Sequence, residues 1–169
     1  LEEFLTNQPH WRPRLRVILR ATGFDEQYAP VISSMNLQDV VQLAPLIPYR
    51  QALEEMLRAD GLLIFQGYTS NPAIPAKVYE YLRARRPILA LLHSDGDTAR
   101  LLRNEKVGTI LPIEDAASIA TGLGSFLDTL QAGSSTVLPI HRVEKFERRH
   151  GAESLARILF ECTGHPAAE

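Results

Sequence analysis

The chain is expected to fold as an α/β domain with a Rossmann-like, doubly wound parallel sheet, and three observations predict it. Short apolar runs such as Gly61–Phe65 and Ile88–Leu92 show no polar alternation, as strands covered on both faces do. Segments between such runs place apolar residues at helical spacing. Strand and helix patterns alternate along the chain at the pace of β-α units, which puts helices on both faces of a parallel sheet. With 169 residues, of which 45 % are hydrophobic, one globular domain with a full core is expected.

Taken in order, Leu1–Gln8 has the pattern of the end of a helix, with Leu1, Phe4 and Leu5 on one side, and Trp11 and Pro13 stop it. Leu15–Leu19 is a strand, followed by the turn Thr22-Gly23-Phe24-Asp25, whose aspartate is suited to cap a helix from Glu26 to Met35. Asp39–Leu43 is a second strand. Pro45 and Pro48 bracket a loop before a helix over Tyr49–Ala59, with Leu53, Met56 and Leu57 facing inward. After the strands Gly61–Phe65 and Ile88–Leu92, a helix is expected over Asp97–Asn104 and a strand over Gly108–Leu111. A long helix follows over Asp115–Leu130, burying Ile119, Leu123, Phe126, Leu127 and Leu130. The composition of Gln131–Val137 is that of a linker. Domain limits are therefore 1–133 for the α/β domain and 134–169 for a linker and helical tail, with Leu155, Ile158 and Leu159 on one face of the tail helix.

A formal net charge of −2 implies no general affinity for nucleic acid or an anionic membrane. The single cysteine, Cys162, excludes an internal disulfide and a Cys-rich metal site, and no metal is expected. No apolar run approaches the roughly 20 residues needed to span a bilayer, and the first ten residues lack the regions of a signal peptide. The expected compartment is the cytoplasm, peripheral at a membrane in a full-length form. His10, His93, His141, His150 and His165 form no pair at metal-ligand spacing. Arg83, Arg85 and Arg86 suit the last turn of a helix, where cations complement the dipole, and Asp97 suits the cap of the helix it precedes.

The most informative stretch is Tyr68–Leu92, a polar loop, a short helix and an apolar strand. Pro75 suits the first helical position and makes Ile74 the expected N-cap. Isoleucine has no side-chain oxygen with which to cap, so the N–H groups of Ala76, Lys77 and Val78 are left for another acceptor. The macrodipole makes an anion the preferred one. Lys77 opposes that dipole unless something negative lies beside it, and Glu80 follows one turn later on the same face. The pair is equally compatible with an ordinary surface ion pair, with Ser70 or Asn71 folding back to cap the helix.

The run Ile74–Leu91, IPAKVYEYLRARRPILAL, resembles the signature of the nucleotide-sugar-dependent glycosyltransferases of the GT-B fold, group 1 (family 4-like). Gly96–Leu123 is similar to the segment that follows in that family, and the likeness extends over Leu1–Leu130. The resemblance implies the C-terminal, donor-binding half of such an enzyme. The substrate is then a nucleotide-diphosphate sugar, with no further cofactor. In these enzymes the glutamate of the motif accepts hydrogen bonds from the ribose hydroxyls, a role that falls here to Glu80. Pro75, Ala76 and Lys77, with Ile74 before them, would face the diphosphate, and the loop from Ala44 through Leu46 to Ile47 would border the base. No residue is singled out as catalytic.

Two departures from the family pattern stand out. Many members carry another glutamate eight positions ahead of the ribose-binding one, and Pro72 stands there. The family's domain also opens with a strand and a Gly-rich loop, whereas this chain starts within the helix that follows them. A Rossmann-like sheet lacking its central first strand is therefore expected, one that closes up or takes a strand exchanged from another chain in a dimer. The acceptor-binding N-terminal domain is absent from the chain and the acceptor is unspecified. Two other readings remain: a non-catalytic nucleotide-binding or regulatory module on the same sheet, and a docking domain whose helix faces serve protein partners. In such sheets ligands bind outside the carboxyl ends of the strands.

Overall fold

A computed structural model describes residues 1–164, so His165 lies outside the described residues. The first helix, α1 (Glu2–Asn7), precedes five strands: β1 (Val17–Arg20), β2 (Val41–Ala44), β3 (Leu62–Gln66), β4 (Ile88–Leu92) and β5 (Thr109–Pro112). Between and after them come α2 (Asp25–Ser34), α3 (Tyr49–Arg58), α4 (Ala76–Ala84), α5 (Asp97–Glu105) and α6 (Ala116–Gln131). The tail adds a short α7 (Ile140–Val143) and α8 (Arg148–Thr163). Every strand pairing is parallel, as the alternation of strands and helices requires.

The strands do not form the single sheet expected. They lie in a two-stranded sheet, β1-β2, and a three-stranded sheet, β3-β4-β5. The sheet has therefore not closed up: β1 and β3 each pair on one side only. The register shows which groups are left over. Val17 N donates to Val40 O and Ala21 N to Ala44 O, so in β1 the alternate residues Ile18 and Arg20 direct their amides to the open side. Leu62 N donates to Pro87 O, which leaves Leu63 and Phe65 in the same position on β3. Phe65 is 57 % exposed, which corrects the expectation that its strand is covered on both faces.

Helix α6 holds the two sheets together. Its Ala120 and Leu127 are buried with Phe4, Leu5, Trp11, Val40 and Val41, in the core beside β1 and β2. Its Phe126 is buried with Leu89 and Leu91 of β4. Leu123 and Leu130 pack against both groups. Gly122 allows close approach to β5, since a Cβ there would stand 2.3 Å from Leu111 Cδ2. Asp115 caps the helix, accepting from Ser118 N at 3.0 Å. The bonds from Ser118 hold the carboxyl of Asp115 below the usual carboxylate range.

The other face of β3-β4-β5 carries the second core, where Ile64, Ile88, Ala90 and Leu92 meet Val78 and Leu82 of α4 and Ala99 and Leu102 of α5. Leu138 and Val143 of the tail are buried in it too. Glu105, buried, pins this part of the tail by accepting from Arg142 Nη2 at 2.8 Å and Lys145 Nζ at 2.6 Å. Of the three arginines expected in the last turn of α4 only Arg83 lies within the helix, Arg85 being its left-handed C-cap and Arg86 the residue after, and all three serve the fold. Arg83 pairs with Glu147 at 3.1 Å, Arg85 donates to Leu138 O at 3.3 Å, and Arg86 donates to Leu57 O.

Several local expectations shift. Phe24, not Asp25, is the N-cap of α2, because Asp25 already has helical geometry and its carboxylate accepts from Thr22 Oγ1. Gly96 takes that position for α5, and Asp97 in the first turn pairs with Arg100. Leu57 is half exposed rather than inward. Helix α8 buries nothing: Leu155, Ile158 and Leu159 are all more than half exposed, so it is not docked on its own domain. Among the described residues no helix is long and apolar enough to cross a membrane.

The unpaired edges lead to a direct expectation for hydrogen exchange. In dilute protein the amides of Ile18, Arg20, Leu63 and Phe65 should exchange fast, while those of Leu19 and Ile64 on the same strands are protected by β2 and β4. Equal protection along β1 and β3 would contradict the open edges.

Candidate functional site

The loops after β2, β3 and β4 lie at the carboxyl ends of the strands, and the elements that leave them bring a small polar cluster together. Helix α4 begins one residue later than the sequence suggests. Pro75 is its N-cap, with φ −60° and ψ 140°, and Ala76 is the first helical residue. Ile74 lies outside the helix and packs against the core of β3-β4-β5. Proline brings no side-chain oxygen either, so the absence of a side-chain cap stands.

Of the three amides expected to be open, one is taken. Val78 N donates to the backbone oxygen of Pro75 at 2.9 Å, the ordinary turn made by an N-cap carbonyl. The N–H groups of Ala76 and Lys77 have no acceptor among the described residues. Ser70 and Asn71 do not fold back to them. Ser70 is exposed and Asn71 half-buried, and the carbonyl oxygen of Asn71 instead accepts from Asp97 N at 2.9 Å, at the start of α5.

Lys77 and Glu80 meet, as their spacing predicts, with Nζ 3.0 Å from Oε2. At that distance the ammonium neutralises Oε2, which is shielded from solvent and accepts from no other group. The other oxygen, Oε1, accepts from the Tyr49 hydroxyl at 3.3 Å. Tyr49 is the first residue of α3 and follows the loop after β2, so Glu80 faces that loop. Ala44 is buried at the end of β2, while Leu46 is 82 % exposed at the crest of the loop. Arg20, at the end of β1, donates to Pro45 O at 2.6 Å and to Glu55 Oε1 of α3 at 2.8 Å. The bond to Glu55 is the main reason its pKa lies above the ordinary guanidinium value. Burial raises the pKa of the Tyr81 hydroxyl above the ordinary phenol value, with Lys77 pulling it back and Glu80 raising it further.

The arrangement thus joins Ala76, Lys77, Glu80 and the loop after β2 at one end of the sheets. Pro72, where the resembling family has its sugar-contacting glutamate, is exposed in the loop before α4. Three participants escaped the sequence reading: Tyr49, Arg20 and Gln66. Tyr49 is the first helical residue after Pro48, and a polar aromatic there is the signal that could have found it. Gln66 is a buried polar residue closing an apolar strand, and its Nε2 donates to Ser70 O at 2.6 Å and Ala73 O at 2.8 Å. Among the described residues, no group of three or more His, Cys, Asp or Glu side chains is placed to hold a metal ion.

By its parallel strands and intervening helices the chain is a mixed α/β protein, compatible with a Rossmann-like fold. Compared with known proteins, it matches no family model, no curated protein and no solved structure.

Proposed function

We propose that the chain is a donor-binding domain of a GT-B type glycosyltransferase, taking a nucleotide-diphosphate sugar at the start of α4. The observation that carries the reading is two amides at the positive end of α4 without acceptors, beside a glutamate a turn along whose Oε2 is met only by the Lys77 ammonium at 3.0 Å. A diphosphate supplies acceptors and a ribose supplies donors, so one ligand answers both needs.

Lys77 links the two halves of this site. It neutralises Glu80 at rest, with 55 % of its side chain exposed. When a diphosphate docks on the amides of Ala76 and Lys77, the ammonium swings toward the stronger negative charge and uncovers Oε2. Two adjacent ribose hydroxyls then donate to Glu80, as a carboxylate can accept both. In the leaving group of a glycosyl transfer, negative charge grows on the diphosphate, where Lys77 and the helix amides stabilise it. The base lies toward Ala44 and Leu46, beside Tyr49. The sugar is transferred to an acceptor held by another domain, so the chain by itself binds and does not turn over. A strand exchanged from a second copy fits the open edges of β1 and β3, in a dimer.

Calorimetry with UDP, GDP and ADP, each beside its sugar conjugate, tests the binding site. One base should bind, and Glu80→Ala should weaken that binding by at least about 1 kcal/mol, roughly fivefold, the scale of a hydrogen bond to a charged group. Unchanged affinity removes Glu80 from the site, and equal binding with and without the sugar favours the non-catalytic module. Incubation with nucleotide sugar and acceptor extract should give no transfer; clear turnover refutes the division of labour. For strand exchange, the amides of Ile18, Arg20, Leu63 and Phe65 should gain protection as protein concentration rises. Rates independent of concentration dismiss it.

A further inference from the structure

We propose that Gln66 is a positioning residue for the diphosphate site, an inference that rests on the nucleotide-binding reading above. Gln66 closes β3 and is only 5 % exposed. Its two amide donors go to Ser70 O and Ala73 O, at 2.6 and 2.8 Å. Turning the amide over would set Oε1 against two carbonyl oxygens, so the contacts themselves define its orientation. In that orientation Oε1 is buried with no partner, which costs stability. An apolar side chain of the same length would fill the space without that cost. What only an amide provides here is the pair of donors to the loop.

The loop so gripped is the one that delivers α4. It runs from Gly67 through a tight turn at Tyr68–Ser70 and is held on its far side by α5, where Asn71 O accepts from Asp97 N at 2.9 Å. Gly96 lets the two approach, since a Cβ there would stand 3.2 Å from Asn71 Oδ1. Between Ala73, held by Gln66, and Ala76, the first open amide, lie only Ile74 and Pro75. Ile74 is packed on the core, and proline restricts φ of its own residue. The path from the Gln66 amide to the vacant N–H groups therefore has little freedom. Gln66 does not touch the ligand; it sets where Ala76 and Lys77 present their amides.

Gln66→Met keeps the length and removes both the donors and the orphan acceptor. Three readouts separate positioning from plain structure: thermal midpoint, hydrogen exchange of the 67–75 amides, and affinity for whichever of UDP, GDP and ADP binds the unaltered chain most tightly. The expected result is a midpoint equal to or above that of the unaltered chain, loop exchange at least tenfold faster, and affinity at least tenfold weaker. Unchanged loop exchange overturns the proposal regardless of nucleotide, and so does a loosened loop with full affinity. If the unaltered chain binds none of the three, the nucleotide reading fails and the positioning role falls with it, while the exchange result still decides whether Gln66 orders the loop. Should Gln66→Met lose its cooperative melt, Gln66→Leu removes the same two donors with a smaller side chain. It is then expected to give the same pair of losses in loop protection and affinity, and full retention of both overturns the proposal.

Discussion

The contact on which the rest of this molecule depends is α6 lying across two sheets that share no hydrogen bond. An isolated pair of strands such as β1-β2 is marginal on its own and needs packing against another element. Leu123 and Leu130 pack against the cores of both, and Phe126 and Leu127 bury one side chain into each. At about 25 cal/mol per Å² of apolar surface, non-directional burial of this kind does what a central strand's hydrogen bonds would otherwise do. It leaves the amides of the facing edges unmatched, and an unpaired edge invites another strand.

The candidate site inherits that dependence. Helix α3 follows a strand of the smaller sheet and α4 a strand of the larger one. The hydrogen bond from Tyr49 to Glu80 therefore crosses from one half of the molecule to the other, and Arg20 ties the end of β1 to α3 on the same side. Glu80 is held where it is by elements whose relative placement α6 decides. Lys77 then balances two opposing pulls, a carboxylate at 3.0 Å and the positive end of its own helix. A cation in the first turn beside two bare amides is an electrostatic surplus, partly cancelled by Glu80.

Much of this was legible from residue patterns. The apolar runs Ile88–Leu92 and Leu62–Ile64 announced strands, and the i, i+3 and i+4 spacing in α6 announced both its length and its buried side, Phe126 and Leu127. Lys77 and Glu80 were bound to meet if a helix formed, because helical geometry brings residues three apart together. The uncapped start of α4 was expected from Ile74, and it holds because Pro75, which takes the N-cap position instead, has no side-chain oxygen either. The failures came where a neighbour decides. Nothing local distinguishes Phe65, at an open edge, from Leu91 in a central strand. Asp25 and Asp97 are good capping residues, yet each sits one place inside its helix with its carboxylate engaged by Thr22 or Arg100. The apolar stripe of α8 has no surface of its own domain to cover.

The amino-acid sequence alone determined the α/β class and the parallel direction of the strands, since both follow from short-range periodicity and from the alternation of strand and helix patterns. Only the tertiary structure decided that the strands separate into two sheets. It also decided that Tyr49 meets Glu80 and that Gln66 grips the loop before α4. These are contacts between residues distant along the chain, made by how helices pack over sheet edges, and no local pattern encodes that packing.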